Sequence, residues 1–467
     1  MGDMSDYHSM KERADTCAAA IRRHDEVRVV SHLDADGLTA AAIMSRTLDR
    51  CGIEHDVRCV KQLDRMVLGE VADANVPTIF TDLGSGMLSE MPLDIEIVVA
   101  DHHQIDRRHV DHQHLHHLNP HLFGIDGSTE LSGAGCAYIL AQSLGENYDL
   151  ADLAIVGAVG DLQARKSGRL VGCNRAILEK GADHGVIGYK RDLSLFGKQT
   201  RQMFKLLQYS SDPYLPGLTG NEGASIMFLK NVGINSSGER WKRWIDLGVG
   251  ERQKVVSSLV QYCISKRMSS YHIQRLVTEG YTLIREQEGI EMRDASEYAT
   301  LLNATGRYGF ADIGLAVCLG DRDKEFAKAK DLLAGHRKNL VDGLNFVKEQ
   351  GITELTHIQY FDAGSSIKDT IVGIVAGMSL TNRRKRDMPM LAFADSDGGA
   401  KVSARGTQDL VRRGLNLADA IEACAAKVGG MGGGHNIAAG ATIPDGTKDE
   451  FLELMDVMVG EQVTPAE

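Results

Sequence analysis

The chain has 467 residues, 43% hydrophobic and 25% charged, enough for two or three domains with real cores and ordinary for soluble protein. Its formal net charge of −12 argues against a protein that coats nucleic acid by bulk attraction, though not against an enzyme with a local basic groove. No apolar run reaches membrane-spanning length, the start does not read as a signal peptide, and the 8 cysteines show no CxxC spacing, so a cytoplasmic protein without a disulfide framework or zinc ribbon is expected.

An amphipathic helix is predicted over 6–23, a strand over 27–31 and a helix over 38–49. At the carboxyl end of that strand, VVSHLDADG places His32, Asp34 and Asp36 at every second position. Imidazole and carboxylate without thiolate suit hard or borderline ions such as Mn²⁺ or Mg²⁺. Such acids also favour a helix N-terminus with no metal present.

Further strands are predicted over 55–60, 78–80 and 94–100. The run 78–80 leads into TDLGSG, with Asp82; the run 94–100 leads into Asp101-His102-His103. Strands alternating with helices imply a parallel sheet covered on both faces, with its carboxyl strand ends on one ligand-binding edge. The three clusters therefore converge, and Asp161, after the apolar run 153–159, is a fourth candidate. So many like charges on one edge require cations among them. Two divalent ions sharing a carboxylate suit this supply of ligands.

His112, His114, His116, His117 and His121 follow in a segment read as a solvated loop rather than as ligands. Small residues over 131–135 open a helix to about 143, whose first N–H groups, at Ser132 and Gly133, are expected to face a phosphate. The stretch 181–289 reads as helical, with helices over 198–208 and 252–274. Trp241 and Trp244 are placed on one helical face and read as core.

NATGR, which holds Asn303 and Arg307, opens the next block, followed by helices over 313–320 and 324–349 and a strand over 353–361. An apolar helix is predicted over 371–380, then strands over 390–393 and 401–404, a helix over 417–428 and a strand over 436–443. In GGMGGGH, Gly432, Gly433 and Gly434 read as an anion-binding nest to which His435 adds a contact. Arg405, two residues after Ser403, reads as a bidentate phosphate contact.

HLDADG, TDLGSG, DHH and VGDLQ, in that order, resemble the four motifs of the DHH phosphoesterase superfamily. NATGR, SARG, VGIVAG and GGGH resemble its RecJ branch and the DHH-associated domain, in the layout of archaeal RecJ-like exonucleases related to a eukaryotic replicative-helicase subunit. The resemblance implies an α/β protein of two lobes. These are an N-terminal parallel-sheet DHH domain (1–185) and a smaller C-terminal α/β DHH-associated domain (291–460), joined by a helical connector (186–290).

It also implies two ions, Mn²⁺ or Mg²⁺. His32 and Asp34 would belong to one, Asp36, His102 and Asp161 to the other, and Asp82 to both. His103 would contact the scissile phosphate and Asp101 orient the histidine pair, so the catalytic set is Asp82, Asp101, His102 and His103. Ser132, Gly133, Asn303, Arg307, Ser403, Arg405, Gly432, Gly433, Gly434 and His435 would hold substrate phosphates.

The implied activity is end-wise hydrolysis of single-stranded DNA or RNA, in DNA repair or replication. GINS-type replication proteins are candidate partners. Two alternatives are a phosphodiesterase for oligonucleotides or cyclic dinucleotides and a non-catalytic replication scaffold. No stretch resembles the further oligonucleotide-binding domain of the bacterial enzymes.

Overall fold

A computed structural model describes residues 4–106, 108, 110–210, 212–235, 240–381 and 387–463. Contacts divide the chain into two units, Met1–Leu333 and Ala334–Glu467. The first begins with α1 (Met4–Ile21), β1 (Glu26–His32), α2 (Ala35–Cys51), β2 (Glu54–Val60), α3 (Arg65–Ala74), β3 (Thr78–Thr81), β4 (Ile97–Ala100) and β5 (Leu115–Leu118). The strands form an all-parallel sheet in the order β2-β1-β3-β4-β5.

Every residue of β3 and β4 is buried, as a parallel sheet covered on both faces demands. Successive side chains take opposite faces. Val29, Ile79 and Val98 join the core under α1 and α2, whereas Val30, Phe80 and Val99 join the core under α3.

β5 corrects the reading of the histidine-rich segment as a solvated loop. His116 and His117 pair with β4, and His117, Asn119 and Pro120 are buried.

Next come α4 (Gly133–Leu144), α5 (Ala151–Gly160) and α6 (Gly172–Asp183). α5 contains the apolar run 153–159, so Asp161 caps a helix rather than ending a strand. Its sequence has no polar face, and a helix apolar all round is a buried one.

The middle departs from its all-helical reading. β6 (Ile187–Leu193), α7 (Met203–Gln208), α8 (Glu222–Val232), α9 (Val249–Ser265), α10 (Ser270–Gln274) and β7 (Val277–Leu283) follow in order. β6 and β7 form an antiparallel ribbon, and the helices between them share a core of their own. The long helix predicted over 252–274 stops at Ser265. Trp244 lies in a single 3₁₀ turn and is buried in that core, and Trp241 packs against it beside Phe204. Core is thus the right reading for the pair, but a shared helical face is not.

α11 (Ala295–Arg307) and α12 (Ala311–Cys318) return to the first core. The division into units falls after Leu333, so NATGR lies in the first unit and not with the residues after 333.

α13 (Lys324–Gln350) runs from the first unit into the second. The second continues with β8 (Thr353–Glu354), β9 (Gln359–Asp362), α14 (Asp369–Thr381), β10 (Met390–Ser396), β11 (Gly399–Arg405), α15 (Gln408–Arg412), α16 (Leu417–Lys427), β12 (Met431–Gly434), β13 (Ala438–Ile443) and α17 (Lys448–Gln462). The run predicted as one strand over 353–361 makes two. The sheet order is β12-β13-β11-β10-β9-β8, with β9 and β10 parallel and the other pairs antiparallel. One face packs on α16 and α17, the other on α14. No helix among the described residues is long and apolar enough to cross a membrane.

Candidate metal centre

The parallel sheet delivers its acids and histidines to one edge. His32 ends β1, and Asp34 caps α2 by accepting the Gly37 N–H at 3.0 Å. Asp36, in the first turn of α2, accepts the N–H groups of Gly133 at 2.7 Å and Ala134 at 2.9 Å. Asp82 follows β3 with φ 57°, a left-handed backbone that an Asp tolerates better than most residues. Its carboxylate sits so close to α4 that a Cβ at Gly133 would come within 2.3 Å of Oδ1. Only glycine fits there.

The ligand atoms gather in two overlapping groups. His32 Nδ1 lies 3.1 Å from Asp34 Oδ2 and 3.7 Å from Asp82 Oδ2. His102 Nε2 lies 3.3 Å from Asp82 Oδ1, 3.3 Å from Asp161 Oδ2 and 3.7 Å from Asp36 Oδ2. The two oxygens of Asp82 thus face different groups. His102 Nδ1 is 2.6 Å from the Gly127 carbonyl. That bond fixes the tautomer, so in the neutral ring the Nε2 lone pair faces three carboxylates.

This arrangement is electrostatically unfavourable by itself. Burial, then the charges of Asp36, Asp34 and Asp161, push Asp82 far above the carboxylate range. Burial also raises Asp36, and burial with the Asp36 charge lifts Asp161 to about 7. Burial opposes charge on His102, but Asp161, Asp36 and Asp101 outweigh it and hold the imidazolium well above its usual value. Asp34 is drawn down to about 2: burial works against this, but the hydrogen bond and charge of His32 prevail. Asp82 Oδ1 and His102 Nε2 are both buried without a hydrogen-bond partner. Oxygen and imidazole donors around orphaned buried atoms fit divalent cations of the Mn²⁺ or Mg²⁺ kind, and His32/Asp34/Asp82 and Asp36/His102/Asp161 each cluster closely enough to hold one.

Asp101 lies beneath this edge, fully buried. It accepts N–H groups from Ser85 and His102 and binds His103 Nδ1 at 2.8 Å. Against the cost of burial, these bonds hold its carboxyl below the usual range. In turn, Asp101 raises His103 to about 9, overcoming the burial that opposes its charge.

Several supporting residues were missed in the sequence. Ser85 Oγ is 2.9 Å from His117 Nε2 and accepts from Asn119 Nδ2, which also bonds the His103 carbonyl. Gln163 Nε2 donates to the Gly127 carbonyl at 2.8 Å, fixing the oxygen that orients His102. Ser85, Asn119 and Gln163 stand inside or beside the motifs, but nothing local marks them as partners. His117 is a structural member of this network; its burial lowers it to about 4 and keeps it neutral.

The expected phosphate contacts fare differently. The first N–H groups of α4 are engaged by Asp36, and Ser132 caps Gly135, so neither Ser132 nor Gly133 presents a free anion site. Asn303 Oδ1 accepts the Ala35 N–H at 3.1 Å, which ties α11 to the loop of His32 and Asp34. Arg307 is half-buried close to Asp34 and makes no ion pair among the described residues. Gly432, Gly433 and Gly434 form edge strand β12 against β13 rather than a nest. His435 is exposed beyond them. Ser403 and Arg405 lie against α14, and Arg405 Nη1 bonds its neighbour's carbonyl at Ala404.

Two family models match, the DHH-CID domain over residues 195–277 and the DHHA1 domain over residues 356–461. An uncharacterized protein of Methanocaldococcus jannaschii is 31% identical over 95% of both chains. The single-stranded-DNA-specific exonuclease RecJ of Bacillus subtilis is 24% identical over 94% of this chain and 46% of its own, so the chain spans about half of that relative. Among solved structures, RecJ of Thermus thermophilus in complex with Mn²⁺ aligns with a TM-score of 0.61 at 20% identity, over 98% of this chain and 55% of that one. CDC45 of Entamoeba histolytica aligns with a TM-score of 0.66 at 13% identity, over 97% and 98%. At these identities the structures speak for the fold alone. Fold, motif order and sequence relatives agree: the chain belongs to the DHH superfamily and is RecJ-like.

Proposed function

We propose that the protein is a metal-dependent exonuclease that hydrolyses single-stranded DNA or RNA from an end. The observation that carries this reading is the convergence of His32, Asp34, Asp36, Asp82, His102 and Asp161 around two buried, partnerless atoms. His32 and Asp34 would hold one Mn²⁺ or Mg²⁺ ion, and Asp36, His102 and Asp161 the other, with Asp82 shared. When bound, such ions supply Lewis acidity and offset the negative charge that develops on the phosphate.

The chain's own residues do the rest. Asp101 fixes His103 Nδ1 and keeps the half-exposed imidazole protonated at neutral pH, so it donates a charged hydrogen bond to a phosphate oxygen. Arg307, beside Asp34 without an ion-pair partner among the described residues, adds a second cation for the substrate. The names of the RecJ relatives support single-stranded substrates. A role in DNA repair or replication, with GINS-type proteins as partners, belongs to the same reading.

A second reading, a non-catalytic replication scaffold, is favoured by the likeness to CDC45. An intact ligand cluster weighs against it. The test is incubation with Mn²⁺ of end-labelled single strands of DNA and RNA, the matching duplexes and a dinucleotide. Stepwise shortening of the single strands, with the duplexes spared, is expected. Cleavage of the dinucleotide alone would make the protein a short-substrate phosphodiesterase. Absence of all cleavage by metal-loaded protein would leave the scaffold.

A further inference from the structure

A cavity of about 540 Å³ lies in the first unit, away from the metal centre. α2 carries Asp36 in its first turn and ends among the cavity's lining residues Arg46 and Arg50; α5 and α11 run from the cavity, at Asp152 and Tyr298, to Asp161 and Arg307. Asp36 and Arg46 are ten residues apart on α2, about 15 Å at the helical rise.

Four guanidinium groups line the cavity: Arg46, Arg50, Arg285 and Arg322. Three have carboxylate partners. Arg50 meets Asp149 at 2.7 Å, Arg285 meets Asp152 at 2.5 Å, and Arg322 meets Glu286 at 2.6 Å. The half-buried Arg46 has none among the described residues, and bonds only the Leu319 carbonyl. One cation is thus left over, partly withdrawn from water, where an anion would be stabilising.

A second, independent feature points to a ligand. Tyr298 lines the cavity, is 1% exposed, and its hydroxyl has no oxygen or nitrogen partner. The nearby Cys318 thiol offers at most a weak one. Leu150, Leu153, Leu283, Ile290 and Phe326 form an apolar wall on the same cavity. Its volume falls within the range of small-ligand sites. One unpaired guanidinium, an orphaned hydroxyl and an apolar wall together match a phosphate joined to a flat apolar group.

We propose that this cavity is a binding site for a nucleoside monophosphate, separate from the metal centre. Binding at the cavity is independent of exonuclease activity, because it is measured without divalent metal. The probe is adenosine 5′-monophosphate, titrated calorimetrically into the full chain in chelator, with inorganic phosphate as competitor. Asp82→Asn is included to disable the metal centre, and Arg46→Gln and Tyr298→Phe to alter the cavity.

One nucleotide per chain should bind to wild type and equally to Asp82→Asn. Arg46→Gln should weaken binding at least tenfold. Tyr298→Phe removes only a hydroxyl with no strong partner, so the fold should persist while affinity falls several-fold. Competition by phosphate alone would support the guanidinium as the anchor. No binding to wild type at millimolar nucleotide would overturn the proposal. So would affinity unchanged in both cavity variants, or lost in Asp82→Asn.

Discussion

At the scale of single residues, Asp82 carries the most. Its left-handed backbone, its packing against Gly133 and its two oxygens facing two ligand groups leave it no ordinary structural partner for Oδ1. Asp82→Ala should lower turnover by about three orders of magnitude or more, since both proposed ions lose a ligand. The metal-free variant should melt no lower than wild type, because a strongly repelled carboxylate has gone. Single-turnover rates, metal content and melting temperature measured on one preparation check this. Near-normal turnover with Mn²⁺ would reduce Asp82 to a turn residue. The motif strings made this residue visible. Ser85 and Gln163 lie inside those strings and Asn119 beside them, but the hydrogen bonds by which they support the histidines run to partners distant in sequence.

At the scale of elements, α11 has a role that its sequence did not suggest. The resemblance implies that Asn303 and Arg307 of NATGR grip substrate phosphates. In the fold, Asn303 Oδ1 accepts the Ala35 N–H, and a Cβ at Gly306 would come within 1.9 Å of the Leu33 carbonyl oxygen. The helix therefore clamps the loop that presents His32, Asp34 and Asp36. Gly306→Ala should destabilise the protein by about 1–3 kcal/mol through overpacking. Asn303→Ala should weaken Mn²⁺ affinity roughly tenfold to a hundredfold, as loss of an orienting contact behind a metal site does. Calorimetric Mn²⁺ titration of Asn303→Ala decides the matter. Unchanged metal affinity with weakened strand binding would return Asn303 to the phosphate-contact role.

For the whole molecule, the ligand cluster contributes strongly to how stability depends on pH. Asp36, Asp82 and Asp161 have carboxyls raised by folding, and His32, His102 and His103 have imidazoliums raised by folding. All six make the folded state bind more protons than the unfolded one, so stability falls as pH rises. For Asp161 the loss runs from the ordinary carboxylate range up to about 7; for His103 it runs from the ordinary imidazole range up to about 9. His117, lowered to about 4, works the other way up to the ordinary imidazole range, so the metal-free protein should melt lower at pH 9 than at pH 6, with the fall clearest above about pH 7. Mn²⁺ should raise the melting temperature, and by more at pH 8.5 than at pH 6, because the ion displaces protons. Melting curves with and without chelator across that range test it, and a gap that narrows with rising pH would contradict it.

The parallel sheet, the edge on which its acids and histidines converge, and the order of the motifs are all legible in the amino-acid sequence. These depend on local matters: β-branched runs, their spacing, and the chemistry at each strand end. The remaining features depend on packing between distant segments. The apolar run before Asp161 is too short and too uniformly buried for periodicity to separate helix from strand. Met431–Gly434 is permissive backbone, and it is extended because β13 supplies its ladder. His116 and His117 look like loop residues until β4 pairs with them. In each case the deciding partner lies elsewhere in the chain, where no local pattern can encode it.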